Sequence, residues 1–544
     1  MTERMLLKSF KDLLDLFPGE ASGQKPYKEN KQKKAQGSSG KVHSAISHKT
    51  PSASKTRVKA PVRSLPLRVA KKKPLPTSTV TPKVEAHALD TASRGRNLST
   101  INVDRDSLSA LDRRLAVGAD VPEDRPTEGE IEAVRLGWLL PNSVRFGHNL
   151  EVAGDRTDVI VGLDIGSTAT KIVLRLPFAD NVGLPVPAPE WFQADGHPYY
   201  WRTLLWKSND GRYSIEPCAG AIPRDRLKVD LLNFGGGDRE TVKAAMIAWI
   251  VLVVRHGVGW LQKEQPGLFK NSTVVVDEVN LGMPFSSIAE AHPDQRHVAL
   301  VAGRILESGG EVTEAAILRL LETSSSGDCD LIALQPELAG ALQGFLTSHQ
   351  RRDGRYLLVD IGGLTVDTVF FIYREAANPP ITIFAKSVEC FGAEVISAWC
   401  KEIGNSERAI KVLGSHIALV AKKAIREKMD VNPANWKKPF ELETILIGGG
   451  RHSQPHRSAV PWCQNSMTHH APPLDLRLRE LEPDRDDIDV RLAAGRGVGR
   501  LLVAMGLSYS RYDAPDIRPP SELPNAVRYA ARDLTKNYIG SEKC

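Results

Sequence analysis

The apolar residues of this chain form short runs, several of which end at turns containing glycine and hydroxyl side chains. Residues 159–163 make a β-branched run that predicts a buried strand. The turn 164–171 follows, with the sequence DIGSTATK, and residues 172–174 predict a second strand after it. This part of the chain therefore predicts a β-hairpin with a Gly-Ser-Thr turn.

The same arrangement returns nearly two hundred residues later. Residues 356–359 predict a strand, the turn 360–367 follows with the sequence DIGGLTVD, and residues 368–371 predict the returning strand. A further apolar strand at 444–447 leads directly into Gly448. The pattern thus predicts a second, similar hairpin and then a strand that ends in a glycine turn.

Helical periodicity marks three other segments. Residues 1–19 predict an amphipathic helix that docks on its own globular domain or on a partner, with apolar positions Leu6, Leu7, Phe10, Leu13, Leu14 and Phe17. Residues 417–429 predict a helix with a basic face. Residues 487–507 are rich in Gly and Ala and predict a closing helix.

Charge is concentrated near the N-terminus. Residues 21–96 hold 18 Lys and Arg residues against three acidic residues, a charge of +15, whereas the whole chain carries +7, so the remainder carries −8. This composition does not bury enough apolar surface to offset chain entropy, which predicts a disordered basic arm over residues 20–125. The arm either attracts nucleic acid or another anionic partner, or serves as a solvated linker.

The overall composition limits the class of protein. A hydrophobic fraction of 41% and a charged fraction of 25% are ordinary for a soluble globular chain and exclude a wholly disordered or collagenous one. The longest apolar stretch, 244–254, is too short to span a bilayer. Six cysteines without a CxxC pair, and an N-terminus without a secretory pattern, predict a cytoplasmic protein with reduced thiols.

The three glycine turns carry the candidate chemistry. In the first hairpin the Asp164 carboxylate is followed by a glycine and two hydroxyls, a set able to hold hydrated Mg²⁺ while backbone N–H groups approach phosphate. The second hairpin repeats this from Asp360, so two facing turns would grip a polyphosphate from both sides. Glycines in the third turn, 448–451, let the backbone approach a ribose or ring, and its arginine could stack on a base.

The order of these three turns resembles the superfamily of actin, sugar kinases and heat-shock-chaperone ATPases. The resemblance extends over about residues 155–510. It implies an α/β fold with two lobes, built from duplicated ribonuclease-H-like domains, and a site that takes ATP and Mg²⁺ as cofactors.

Several intervening segments resemble the nucleotide-binding domain of the seventy-kilodalton heat-shock chaperones. They include the strand at 273–276, the helices expected at 239–260 and 298–306, the connecting helix near 335 and the turn at 391–394. The resemblance implies lobe I at 155–345, lobe II at 346–485, a closing helix of lobe I at 486–510 and a C-terminal tail at 511–544. No segment remains for a peptide-binding β-sandwich.

Three features depart from the chaperones. Leu364 stands where the second hairpin of that family has a glycine, and Gln335-Pro336-Glu337 is closer to the plasmid-segregating actins. About 77 residues separate Asp367 from Thr444, which implies a trimmed outer part of lobe II.

The resemblance assigns roles to individual residues. Asp164 and Asp360 would hold the metal, and Glu337, Asp367 and Lys228 would serve catalysis, with Glu337 acting on the attacking water. The expected nucleotide contacts are Gly166, Ser167, Thr168, Lys171, Gly362, Gly363, Thr365, Gly448, Gly449, Gly450, Arg451, Lys423 and Arg426.

Simpler interpretations stand beside these roles. Glu337 would also offset a helix dipole at the start of the connecting helix. Lys228 could be a solvated lysine, and Lys423 and Arg426, together with Lys422, could form a solvated basic face.

Three functions fit these observations. The first is a chaperone-like ATPase without a peptide-binding domain, whose lobes close with nucleotide and act on a protein partner or client. The second is a filament-forming, actin-like cytomotive ATPase that assembles as a homo-oligomer. The third is a small-molecule kinase or an acyl-dehydratase activator, although an activator would need cluster-ligating cysteines that the sequence does not show as a pair.

Overall fold

A computed structural model describes residues 144–523 except 180, 218–219, 233–237, 285–291, 325–329, 430–438, 466–472, 494–496 and 513–516. The predictions for the helix at 1–19, the arm at 20–125 and most of the tail at 511–544 lie outside these residues. All described residues belong to one unit of the chain.

The strands follow the apolar runs of the sequence and extend them at both ends. In chain order they are β1 (Val144–Phe146), β2 (Arg156–Ile165), β3 (Ala169–Arg175), β4 (Gly183–Pro185), β5 (Trp201–Arg202), β6 (Leu205–Lys207), β7 (Tyr213–Ser214), β8 (Ile222–Arg224), β9 (Thr273–Met283), β10 (Ile332–Pro336), β11 (Gly354–Ile361), β12 (Val366–Tyr373), β13 (Ile381–Glu389), β14 (Phe440–Ile447), β15 (Leu474–Glu480) and β16 (Ile517–Arg518).

The α-helices alternate with these strands, so the fold is mixed α/β, as expected. In chain order they are α1 (Leu227–Leu231), α2 (Arg239–Glu264), α3 (Pro266–Asn271), α4 (Pro293–Ser308), α5 (Glu314–Thr323), α6 (Glu337–Thr347), α7 (Ala393–Ile403), α8 (Ser406–Glu427), α9 (Gln454–Asn465) and α10 (Leu502–Leu507).

Two large sheets share a core of five strands in the same order, to which the first adds β1 and β5 and the second adds β16. In the first, β4, β3, β2 and β9 are neighbours, and β10 pairs with the far edge of β9. In the second, β13, β12, β11, β14 and β15 are neighbours. Each sheet therefore contains three antiparallel strands followed by two strands that run parallel to the first. A small sheet of β7, β6 and β8, which the sequence did not predict, lies apart from both.

The two predicted hairpins are confirmed and have turns of the same length. Asp164 lies opposite Lys171 in β2 and β3, and Asp360 lies opposite Asp367 in β11 and β12. Each turn is closed by a glycine N–H, from Gly166 to Ala169 O at 3.1 Å and from Gly362 to Thr365 O at 2.9 Å. Residues at the same position in the two hairpins therefore lie at corresponding ends of the two sheets.

Helices α6 and α10 lie between the two sheets. One apolar cluster joins them to both, and it includes Val173 from β3, Leu358 from β11, Phe345 from α6 and Leu502 from α10. The helices approach closely because they meet at glycines: a Cβ on Gly340 would lie 2.8 Å from the Val503 carbonyl oxygen. This packing fixes the position of α6, whose first residue is Glu337.

The outer faces of the sheets are covered by other helices. Helices α2 and α4 pack on the first sheet, and α8 and α9 pack on the second. Among the described helices, α2 alone is long and apolar enough to cross a membrane, but 83% of its most apolar window is buried inside the protein. That is weak evidence for a membrane span, because buried core helices meet the same criterion.

The predicted helix over 487–507 is wrong for most of its length. The chain instead forms short 3₁₀ turns at Arg491–Ala493 and Gly499–Leu501, and the α-helix begins only at Leu502. Glycine is a poor helix former, and the Arg451 guanidinium lies where a Cβ on Gly499 would have to be. Tertiary packing of this arginine therefore outweighs the helical pattern. The basic helix expected at 417–429 exists, but it begins earlier, at Ser406, and ends at Glu427.

Candidate functional site

The three glycine turns meet at one place between the sheets. A Cβ on Gly363 of the second turn would collide with Ser167 Oγ of the first turn, and a Cβ on Gly448 of the third turn would collide with Asp360 Oδ1. Only glycine permits approaches this close. Gly448 also has φ 84°, a backbone conformation that favours glycine.

Two buried ion pairs lie beside this junction. Lys171 Nζ donates to Asp164 Oδ2 at 2.8 Å across the first hairpin. Lys228 Nζ, from α1, donates to Glu337 Oε1 at 2.5 Å. All four side chains are buried. The structure therefore joins Lys228 to Glu337 and excludes the interpretation of Lys228 as a solvated surface lysine.

The carboxylates of the cluster influence one another strongly. Burial and the nearby charges of Glu337 and Asp164 raise the pKa of Asp360 to about 7. Burial and the charges of Glu337 and Asp360 raise the pKa of Asp367 well above its usual range. Burial also raises the pKa of Glu337, although the partner Lys228 opposes the shift. A site in which neighbouring carboxylates raise one another's pKa values disfavours further negative charge and favours cations.

The charge balance of the cluster leaves room for a divalent cation. Four carboxylates face two ammonium groups, so the fully ionised cluster would carry two uncompensated negative charges. Asp367 is 4% exposed, and its Oδ1 has no hydrogen-bond partner among the described residues. A buried, unpaired carboxylate oxygen is costly unless a ligand or water satisfies it.

The cluster is compatible with Mg²⁺ that takes part of its coordination from water and phosphate. No three or more His, Cys, Asp or Glu side chains in the described part of the chain are placed to coordinate a metal by themselves. Mg²⁺ commonly uses one or two carboxylates and takes its other ligands from water and phosphate. Asp164 and Asp360, at equivalent positions of the two hairpins, are the carboxylates suited to this.

Arg451 is not presented to a ligand by the third turn. Its side chain is buried, its Nη2 donates to Glu482 Oε1 at 3.0 Å, and it packs tightly against Gly499. Through these contacts Arg451 packs the third turn against the segment that contains Glu482 and Gly499. The expected stacking of its guanidinium on a base has no support in this geometry.

The arginine that borders Gly449 is Arg500, which the sequence analysis missed. Its guanidinium nitrogens lie 3.0–3.1 Å from where a Cβ on Gly449 would be. It also forms an ion pair with Asp195 at 2.6 Å and lies over the Tyr200 ring, 4.5 Å from the centroid. Arg500 comes from a glycine-rich segment with no motif, so only the fold brings it here.

Glu394 is a second residue to which the sequence analysis gave no role. It lies near the start of α7, accepts a hydrogen bond from the Thr168 side chain, and has a raised pKa because it is largely buried. The turn at 391–394 resembled a family signature, but nothing in that pattern indicated a contact with the first hairpin.

The remaining predicted site residues lie at different depths. Thr365 is buried in the second turn, whereas Thr168 is exposed. Lys423 and Arg426 lie exposed on α8, as the interpretation of a solvated basic face expects. Lys422 is half-buried, and burial lowers its pKa despite the neighbouring Cys463.

Comparison with known proteins does not assign this site. No protein-family model matches the sequence, and no curated protein matches it. Its chemistry therefore has to be argued from the geometry of the cluster.

Proposed function

We propose that this protein binds ATP with Mg²⁺ and hydrolyses it. The observation that carries the proposal is the junction of the two hairpin turns, where Asp164, Lys228, Glu337, Asp360 and Asp367 form one buried electrostatic cluster. Phosphoryl transfer to water needs such a combination, in which cations neutralise the phosphates and a carboxylate acts on the water.

The fold supports placing the chain among the two-lobed ATPases of the actin and heat-shock-chaperone type. Five strands of each large sheet have the same order and include the same hairpin, and α6 and α10 lie between the sheets. A duplicated ribonuclease-H-like domain, with one phosphate turn from each copy, accounts for this repetition.

Each side chain of the cluster then has a role. Asp164 and Asp360 would hold hydrated Mg²⁺, which supplies charge neutralisation on the phosphates. Lys171 and Lys228 add positive charge beside them. Glu337 accepts a proton from the attacking water, and its raised pKa suits that task. Its place at the first residue of α6, fixed by the packing of that helix, holds the carboxylate steady.

The position of the site between two sheets supports coupling to a partner. A nucleotide that binds both turns draws together the two halves of the protein, and its hydrolysis releases them. We therefore propose a chaperone-like ATPase that acts on a protein partner in the cytoplasm.

A hydrolysis assay with Glu337→Gln tests the proposal. The wild-type chain should release phosphate from ATP only with Mg²⁺, and Glu337→Gln should lower that rate about 10²-fold or more while ATP still binds. The glutamine keeps an oxygen that accepts from Lys228, so the fold should survive. Glu389→Gln is the matched control, because Glu389 is partly buried on β13 and bonded to Ser387.

Two results would overturn the proposal. One is wild-type protein that neither binds nor hydrolyses ATP, and the other is a Glu337→Gln variant with the wild-type rate.

Light scattering of the same samples distinguishes the filament-forming ATPase from the chaperone-like ATPase. Polymerisation with ATP and Mg²⁺ would raise the scattered intensity, whereas a chaperone-like monomer would not raise it.

A further inference from the structure

Glu394 lies between the two phosphate-type turns, although the proposed hydrolysis gives it no role. Its backbone N–H donates to Gly363 O at 2.9 Å, which fixes the start of α7 to the second turn. Its carboxylate accepts a hydrogen bond from Thr168 of the first turn. Ser167 Oγ and Glu394 Oε1 both lie where a Cβ on Gly363 would be. One carboxylate thus contacts residues of both turns.

The groups around the Glu394 carboxylate are of the kinds that bind anions. Thr168 donates a hydrogen bond to it, and the guanidinium of Arg500 attracts it from the side of the third turn. Arg500 is held in place by Asp195 at 2.6 Å and by the Tyr200 ring. Hydroxyl groups, glycine turns and guanidinium groups are also what proteins use to bind phosphate.

We propose that Glu394 is an internal competitor of the nucleotide phosphates. In the structure its carboxylate accepts the hydrogen bond of Thr168 and fills the gap beside Gly363, and phosphates that bind there would displace it. This inference rests on the proposed function, because Ser167, Thr168 and Gly363 are the phosphate contacts expected there. A carboxylate and a phosphate repel each other and do not share the same hydroxyl donors. Displacement of the Glu394 carboxylate therefore costs free energy and weakens nucleotide binding.

Titrations of the full-length chain with Glu394→Gln test this inference. Glutamine removes the charge but keeps the size of the side chain and an oxygen that accepts from Thr168. Isothermal calorimetry would measure the Kd of ATP, of inorganic tripolyphosphate and of adenosine, all with Mg²⁺. We expect ATP and tripolyphosphate to bind about fivefold tighter or more, which is the lower range of typical coupling between sites. Adenosine, which has no phosphate, should bind as it does to the wild type.

Two further variants complete the experiment. Glu394→Ala removes the hydrogen bond as well as the charge and should also tighten phosphate binding. Glu407→Gln is the matched control, because Glu407 is an exposed glutamate on α8 paired only with Lys411 among the described residues, and it should leave all three affinities unchanged.

Each other outcome overturns the inference. If wild type binds ATP and Glu394→Gln binds it equally or more weakly, Glu394 is not a competitor, and the proposed function stands without it. If adenosine tightens as much as ATP, the effect does not act through phosphates. If neither the wild type nor the variants bind ATP or tripolyphosphate, the inference and the proposed function are both wrong.

Discussion

Asp360 makes the stability of the ligand-free protein depend on pH. Its pKa is about 7 in the folded protein and about 3.9 in an unfolded chain. Between these values the folded protein binds a proton that the unfolded chain has lost, so the free energy of unfolding should fall as pH rises from about 4 to about 7. The raised pKa values of Glu337 and Asp367 act in the same direction. Urea unfolding across this range measures the slope.

The variant Asp360→Asn isolates the contribution of Asp360 to the pH dependence of the free energy of unfolding. Asparagine does not titrate, so the variant should lose less stability than the wild type over the same pH range. Glu407→Gln, which removes an exposed carboxyl group, should retain the wild-type slope. Equal slopes for the wild type and Asp360→Asn would show that Asp360 is already ionised in the folded protein.

At the residue scale, the sequence predicts site residues that lie at the ends of predicted strands. It misses residues that tertiary packing brings to the site. The pairing of Asp164 with Lys171 follows from their places on one hairpin, because the register of a hairpin sets its cross-strand neighbours. Arg500 and Glu394 reach the junction from segments far along the chain. Arg500 lies in no motif, and the turn that contains Glu394 resembles a family signature without indicating a contact with the first hairpin, so only the assembled fold reveals these contacts.

The contact between α6 and α10 predicts the effect of a single methyl group. Gly340→Ala would place a Cβ 2.8 Å from the Val503 carbonyl oxygen, and the backbone of α10 does not move away easily. Overpacking of this kind costs about 1–3 kcal/mol of the free energy of unfolding. Chemical denaturation measures this loss. Gly340 lies one turn after Glu337, so the proposed ATP hydrolysis should also slow.

Gly267 provides the matched control for this substitution. It lies in α3 with no atom within 4 Å of the position of a Cβ. Gly267→Ala should leave stability unchanged or raise it by about 0.4–1 kcal/mol, because alanine restricts the unfolded chain. Stability of Gly340→Ala equal to that of the wild type would mean that the two helices are less tightly packed than the structure shows.

At the element scale, the strands are more predictable than the C-terminal helix. Strands β2, β3, β11, β12 and β14 each contain a β-branched apolar run bounded by a turn, so pattern and packing agree. The segment before α10 has a helical composition but is broken where Arg451 packs against Gly499. A contact with a residue about fifty positions away decides its conformation, and the local sequence does not encode that contact.

At the scale of the whole molecule, the repeated sheet is the feature that the sequence predicts through its two hairpins. Each hairpin turn lies at the ends of interior strands of a different sheet, and the cluster of carboxylates and lysines lies where the two turns meet. The two lysines balance Asp164 and Glu337, so the two uncompensated negative charges of the fully ionised cluster belong to Asp360 and Asp367 of the second hairpin. The proposed ATP and Mg²⁺ would offset this charge while they contact both turns at once.

That argument predicts that Mg²⁺ and ATP together stabilise the whole described unit. A ligand that binds only the folded protein, at a hundred times its Kd, adds about 2.7 kcal/mol to the free energy of unfolding. Differential scanning calorimetry should show a higher Tm with ATP and Mg²⁺ than with either alone, because the metal offsets the charge of Asp164, Asp360 and the phosphates. Asp164→Asn should reduce the shift by removing one of the two proposed metal contacts. An unchanged Tm at millimolar ATP and Mg²⁺ would mean that the cluster serves only to hold the two sheets together.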